Sequence, residues 1–333
     1  MSKPTLRITK KKQMKGEAFT VLGEKIQLAG RILVVSHIRP DGDSIGSLLG
    51  LGLALQNAGK AVQMVSPDGV PENFKHLSGS DQIQQNPDGV YDLIMALDCS
   101  DLKRVGKVLD DYTIPDVNID HHVTNLNFAR LNIVDTQAVA TAEILVDALS
   151  FLEMPLTEIC ASALLTGVIM DTLGFRTHNM TPNAMRVVAN LMEAGANLPE
   201  LYTKALLQRS FEAVRFWGEG LTHVQREGGI VWTSLSMAER EIAGYSGRDD
   251  ADLINVLTSI QDAKVALIFV EQPNGSVKVS WRSHPGIDVS RVAMRYGGGG
   301  HPAASGAVIT GELDDIQSSV LEEMRNLVVE EKV

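Results

Sequence analysis

The stretch Ile32-Leu-Val-Val35-Ser-His37-Ile-Arg-Pro-Asp41-Gly-Asp43-Ser44-Ile-Gly-Ser-Leu-Leu-Gly-Leu-Gly-Leu-Ala-Leu55 decides the fold. Its four apolar residues Ile32 to Val35 read as a buried strand. Residues 44–58 read as a helix with small residues along one side. Between them, one imidazole and two carboxylates sit on a strand-to-helix turn. In an open α/β sheet that edge is where ligands bind.

Further strands end in the same chemistry. The run Leu93–Leu97 stops at Asp98, and Asp116–Asp120 runs into His121-His122. A strand at 61–66 lies between Gly59 and Pro67-Asp-Gly69. Helical patterns cover 17–29, 140–153, 157–171 and 181–195. The third is apolar nearly all round, so it is expected to be buried, and it ends on Asp171. The fourth opens with Thr181-Pro182, a cap followed by proline, and stops at Gly195. Strands alternating with helices predict an α/β fold with a mostly parallel sheet covered on both faces. After a helical connector at 199–222, strands at 229–236, 264–271, 276–283 and 303–309 are mixed with helices at 237–245, 287–296 and 311–329. The expected organisation is a metal-binding catalytic domain over 1–190, a connector over 191–225 and a smaller α+β domain over 226–333.

The 333 residues are enough for two domains with real cores, and 44% hydrophobic with 21% charged residues is a soluble globular composition. Aromatics at 5% argue against an extended base-stacking platform. Two cysteines, Cys99 and Cys160, point to a reducing compartment. No apolar run reaches the ~18 residues of a membrane span. The basic start has no apolar segment after it and is not a secretory signal. A cytoplasmic protein without membrane contact is therefore expected. The first 16 residues hold six Lys/Arg and no acid, and the remainder carries 24 basic against 41 acidic residues. So acidic a body suits long duplex nucleic acid poorly. A small anionic substrate is compatible, because bound metal ions reverse the local sign. The basic start reads as a solvated tail. The sequence leaves a homodimer open.

The residues at the ends of the predicted core elements are His37, Asp41, Asp43, Asp98, Asp120, His121, His122 and Asp171. Several buried carboxylates on one edge repel each other and do not all stay ionised unaided. Four aspartates (Asp41, Asp43, Asp98, Asp171) balance two divalent ions in formal charge. Oxygen and imidazole donors without thiolate suit Mn²⁺ or Mg²⁺, and the histidines favour Mn²⁺. Two such ions about 4 Å apart serve in-line displacement at phosphorus by an activated water, with no covalent intermediate. Taken singly, Asp43 reads as a helix cap and Asp98 as a turn residue. The repetition at consecutive strand ends is what carries the metal reading. His76, His178 and His223 have no acidic pattern around them and read as surface or packing residues.

At these residues the chain resembles the DHH phosphoesterase superfamily. Asp120-His121-His122 is similar to its naming motif, and Ser36 to Gly46 to its first motif. Leu97-Asp98 and Gly167 to Arg176 look like two others, and Gly297-Gly-Gly-Gly300-His301-Pro-Ala-Ala-Ser-Gly306 looks like the DHHA1 signature. Within the superfamily the chain resembles the nanoRNase/pAp phosphatase family, which cleaves very short RNA to mononucleotides and removes the 3′-phosphate of phosphoadenosine phosphate (pAp). The resemblance implies two metal sites. One takes His37, Asp41 and Asp98, and the other takes Asp43, Asp98, His121 and Asp171, with Asp98 bridging. It gives His122 a contact with the scissile phosphate or a place behind the metal ligands, and Asp120 the task of orienting a histidine. It makes Gly297, Gly298, Gly299, Gly300 and His301 a substrate-holding loop, with Arg282 and Ser283 as further donors. From the residues alone, a tight turn and a surface arginine explain that region equally well. Ser305 departs from the alanine more usual in the family. Arg104 and Arg176, beside metal-bearing turns, are candidate phosphate contacts.

Short single-stranded RNA, dinucleotides and pAp are thus the expected substrates. A hydrolase of linear pGpG or pApA is the alternative. A family II pyrophosphatase lacks the glycine-rich signature. A RecJ-type exonuclease is longer, and a membrane-bound cyclic-di-AMP phosphodiesterase needs spans. A non-catalytic nucleotide-binding regulator would lack a ligand, and none of the six is missing.

Overall fold

The chain divides into two compact units between Gln208 and Arg209. The computed structural model describes residues 4–330, with side chains over 15–328 other than His301. The first unit is built on six strands: β1 (Arg31–Val35), β2 (Ala61–Val65), β3 (Ile83–Gln84), β4 (Leu93–Leu97), β5 (Val117–Asp120) and β6 (Leu131–Val134). Their order is β3-β2-β1-β4-β5-β6, and every neighbouring pair is parallel. The strand order reverses between β1 and β4, which makes the crevice beyond their carboxyl ends the natural ligand position. The register decides what meets there. Val35 pairs with Ala96 and Leu97 with Ile119. His37, Asp98 and Asp120 to His122 therefore leave the sheet at one level.

Helices α1 (Pro4–Leu28), α2 (Gly42–Asn57), α3 (Thr141–Phe151), α4 (Glu158–Asp171) and α5 (Pro182–Glu193) complete the main core. On β1, Ile32 and Val34 join Leu22, Leu48, Leu145 and Leu164. Leu33 and Val35 face the other way, onto Val65, Ile94, Ala96, Val105 and Leu109. The sheet is thus covered on both faces, as its unbroken apolar strands require. The second cover is the irregular segment around a single helical turn, Leu102–Val105. Helices α2 and α4 are in backbone contact. A Cβ on Gly46 would lie 2.4 Å from the Ala163 carbonyl oxygen and 2.9 Å from the Gly167 nitrogen. That apposition brings the start of α2, with Asp43, against the last turns of α4, with Asp171.

Several local expectations change. The basic start is helical in backbone from Pro4, and Lys15 Nζ lies 2.6 Å from Asp147 Oδ2; the side chains before Lys15 lie outside the described residues. Good helix formers extend α1 beyond its apolar anchors Phe19, Leu22 and Ile26. Strands β3 and β6 are too short to show a period. The connector is not one helix. It comprises α6 (Leu198–Tyr202), a π-helical turn at Thr203–Leu207, an extended Gln208 and α7 (Phe211–Thr222). Ser210 restarts the helix by accepting a hydrogen bond from the Ala213 amide.

The second unit is a smaller α+β domain. Strands β7 (Gln225–Glu227), β8 (Ile230–Leu235), β9 (Val265–Gln272), β10 (Ser276–Ser283), β11 (Gly299–His301) and β12 (Ala304–Thr310) form a sheet in the order β11-β12-β10-β9-β8-β7. Its helices are α8 (Met237–Ala243), α9 (Ile254–Leu257), α10 (Ser290–Arg295) and α11 (Leu313–Glu330). On β9, Val265, Leu267 and Phe269 pack with Trp281, Val292 and Met324. Its alternate residues Ala266, Ile268 and Val270 pack with Phe216, Leu253 and Leu257. The helix expected over 287–296 is shortened to α10. There Asp288 Oδ1 accepts from the Ser290 amide at 3.0 Å in a turn just ahead of the helix, whose cap position is Val289.

Candidate metal centre

Asp41 closes the β1–α2 turn and caps α2, accepting from the Ser44 amide at 3.0 Å. The imidazole of His37 is 1% exposed. Its Nδ1 lies 2.9 Å from the Ile38 carbonyl oxygen. A carbonyl only accepts, so Nδ1 carries a proton and Nε2 is the nitrogen turned to the carboxylates. That Nε2 is buried without a hydrogen-bond partner, 3.3 Å from Asp98 Oδ2 and 3.8 Å from Asp41 Oδ2. An imidazole nitrogen and two carboxylates thus converge, an arrangement that asks for positive charge, from a proton or a metal ion. His121 repeats it. Nδ1 faces the Ala138 carbonyl at 3.4 Å, and Nε2 lies 3.4 Å from Asp171 Oδ2 and 3.8 Å from Asp98 Oδ1. Asp98 is the hub. It is 2% exposed and sits in the left-handed region at φ 56°, an uncommon conformation for a residue with a side chain.

Among the described residues, ligand atoms close enough to share an ion form three overlapping groups: His37, Asp41 and Asp98; Asp43, His121 and Asp171; and Asp98, His121 and His122. All six residues expected as ligands are brought together, and the donors are oxygen and imidazole, as hard divalent ions prefer. Asp120 is fully buried and its Oδ1 lies 2.6 Å from His122 Nδ1, which sets that ring's orientation.

The electrostatics carry the same message. Burial and the neighbouring Asp98 carboxylate push Asp43 up to about 7. Enclosure by protein, with Asp43, Asp41 and Asp98 close by, raises Asp171 well above the carboxylate range, although its side chain stays 30% exposed. Asp98 goes the other way. Burial opposes its ionisation, but the close His37 imidazole and the charges of His122 and His121 hold it well below the usual range. The three histidines are raised against burial, His37 and His121 chiefly by Asp98 and His122 chiefly by its hydrogen bond to Asp120. The centre gathers positive charge, and here protons supply it.

The DHH family N-terminal domain matches residues 31–168, and the DHHA1 domain matches residues 237–328. Over 303 residues the chain is 35% identical to the bifunctional oligoribonuclease and PAP phosphatase NrnA of Thermus thermophilus, covering 89% of this chain and 90% of that one. The chain belongs to the DHH–DHHA1 phosphoesterases. It is also 25% identical over 319 residues to the protein of the same name in Mycoplasma genitalium, covering 93% and 99%. An exopolyphosphatase-related protein from Bacteroides fragilis superposes with a TM-score of 0.88 at 25% identity, over 94% of this chain and 97% of that one.

Other residues singled out in this phosphoesterase fall in varied settings. Arg104 lies in the turn after β4, where its carbonyl accepts from the Ile38 amide at 2.7 Å and its buried Nε has no partner. Arg176 Nε donates to the Leu173 carbonyl. In the second unit, Arg282 is half-buried on β10 and donates to the Trp281 carbonyl at 3.0 Å. The Ser283 hydroxyl donates to the Ile287 carbonyl at 2.6 Å. The run expected as a substrate-holding loop is in part a strand: Gly299–His301 is β11, paired with β12, and the missing side chains allow close strand contact. The side chain of His301 lies outside the described residues. His76, His178 and His223 belong to none of the three groups.

Sequence reasoning missed four supporting residues. Asn125 bridges Asp120 Oδ2, Asn118 Oδ1 and the Cys99 carbonyl. Asn118, a polar residue within an apolar strand, was a visible signal for that network. Thr141 and Glu143 at the start of α3 gave none, since both types are ordinary in a first helical turn.

Proposed function

We propose that this DHH–DHHA1 phosphoesterase hydrolyses short oligoribonucleotides to mononucleotides and pAp to AMP, with two Mn²⁺ ions. The observation that carries the metal reading is the meeting of three groups of possible ligand atoms, two of them sharing Asp98 and two sharing His121. The full-length likeness to a bifunctional oligoribonuclease and PAP phosphatase supports the substrates. His37, Asp41 and Asp98 would hold one ion, and Asp43, Asp98, His121 and Asp171 the other. When bound, the pair supplies a water ionised near neutral pH and neutralises charge on the phosphoryl oxygens.

The chain's own residues do the rest. Asp98 turns one oxygen toward His37 and the other toward His121 and His122, which supports a bridging role. Asp120 holds His122 by Nδ1, which supports the proposed phosphoryl contact of that ring. Arg104 is proposed to meet substrate phosphate. In the second unit Arg282, Ser283 and the run Gly297 to His301 are proposed to hold base and 5′-end. Two free, buried cysteines support a cytoplasmic setting.

The test is hydrolysis of 5′-labelled RNA of two, three, five and twenty-four nucleotides, with pAp and pGpG in parallel, in Mn²⁺ and in EDTA. Mn²⁺-dependent loss of the short strands and of pAp is expected. Equal loss of the long strand would move the assignment to a processive exonuclease. Turnover of pGpG alone would move it to cyclic-dinucleotide metabolism.

A further inference from the structure

The turn that enters α3 touches the two halves of the metal centre at once. Thr141 is fully buried. Its amide lies 2.6 Å from Asp43 Oδ2, and its hydroxyl donates to Asp98 Oδ1 at 2.9 Å. The Ala142 amide follows at 3.0 Å from Asp43 Oδ1. Ala140, at the cap position of α3, makes no side-chain cap, so the free first amides of the helix go to a carboxylate from α2 instead. The turn itself is tied down. Buried Glu143 accepts from the Val139 amide at 2.8 Å with one oxygen and from Asn183 Nδ2 at 2.7 Å with the other.

We propose that Thr141 is a positioning residue that fixes Asp43 and Asp98 relative to one another for metal binding. This rests on the metal-dependent reading above. Asp98 must present different oxygens to His37 and to the His121–His122 side. Rotation of its carboxylate would exchange them. A hydrogen bond to Oδ1 from a buried, β-branched side chain stops that rotation, because the methyl restricts χ1 and no water can replace the hydroxyl. The backbone of the same residue anchors Asp43, so the two carboxylates share one rigid reference. Residues behind metal ligands, when removed, typically weaken metal binding by 10–100-fold.

The experiment compares the full-length chain with Thr141→Val and Thr141→Ser. Mn²⁺ binding is measured by calorimetry, and the exchange-coupled signal of paired Mn²⁺ by electron paramagnetic resonance, alongside pAp hydrolysis. Thr141→Val keeps the amide and the shape but loses the hydroxyl. It should bind Mn²⁺ about 10-fold more weakly or worse, lose coupled signal, and lose kcat with little change in KM. Thr141→Ser should restore all three. If Thr141→Val proves unfolded, Thr141→Ala tests the same loss. Wild-type affinity and coupled signal in the hydroxyl-free variant would overturn the proposal, as would a serine variant no better than it. Failure of the functional reading shows itself separately, in a wild-type chain that binds Mn²⁺ but cleaves neither RNA nor pAp.

Discussion

The carboxyl edge of the first sheet and the glycine run of the second are both conspicuous in sequence, yet they mean different things. At the edge, the atoms on the side chains matter. Residues from the ends of β1, β4 and β5 and from α4 converge, and their charges make no sense without a cation. In the glycine run, the missing side chains matter. A Cβ on Gly298 would lie 2.2 Å from the Gly306 carbonyl oxygen, and one on Gly300 would lie 2.4 Å from that of Ala304. Gly297 sits at φ 73°, where side chains are disfavoured. Gly298 and Gly300 are therefore explained by the hairpin, and Gly297 by the left-handed turn that ends α10. Gly299 alone would meet nothing within 4 Å at an ordinary φ. Chemical residues out of place for the fold identify a site. Glycines identify one only where the fold does not already need them.

Asp98→Ala sharpens this contrast most. It should cost roughly 10³-fold in kcat, about 4 kcal/mol of transition-state stabilisation, and more than any other single ligand change. If it kept near-wild-type turnover while Asp41→Ala did not, the bridging role would fail. Next in size is the competition between protons and metal. Asp43 titrates at about 7 in the metal-free fold, above its unfolded value of 3.8, so the folded chain holds a proton that the unfolded chain releases. Metal-free stability should therefore fall as pH rises from 3.8 toward about 7. The metal takes the proton's place, so Mn²⁺ affinity should drop by up to about tenfold per pH unit below about 7. Calorimetry across that range checks it, and a flat profile would deny Asp43 a place among the ligands.

The glycine run is tested by a pair of variants. Gly298→Val should destabilise the second unit by about 2 kcal/mol through overpacking, seen in its melting, with Mn²⁺ binding unchanged. Gly299→Val has the smallest structural effect, within about 0.5 kcal/mol, because its position is open. If the run holds substrate, KM for pAp should nonetheless rise severalfold. An unchanged KM would leave the run a hairpin and nothing more.

Strand ends, buried helices and the acid–imidazole pattern were legible because each follows from a short local rule. Ile32 to Val35 announces a buried strand, and Thr181-Pro182 announces a helix start. Strands β3, β6 and β11 were not legible, since two to four residues cannot display a period and their partners supply the reason for their conformation. Thr141 was silent for a related cause. A threonine in a first helical turn carries no mark of what will face it.

By itself, then, the sequence determined the chemistry of this protein. It set how many carboxylates and imidazoles there are and which strand ends carry them, because residue type and local period are properties of the chain. Only the tertiary structure decided their meeting. The reversal of strand order between β1 and β4, the register of Val35 on Ala96, and the backbone contact of α2 with α4 place Asp43, Asp98 and Asp171 at one edge. Those are relations between segments far apart in sequence, fixed by burying both faces of a parallel sheet, and no local pattern encodes them.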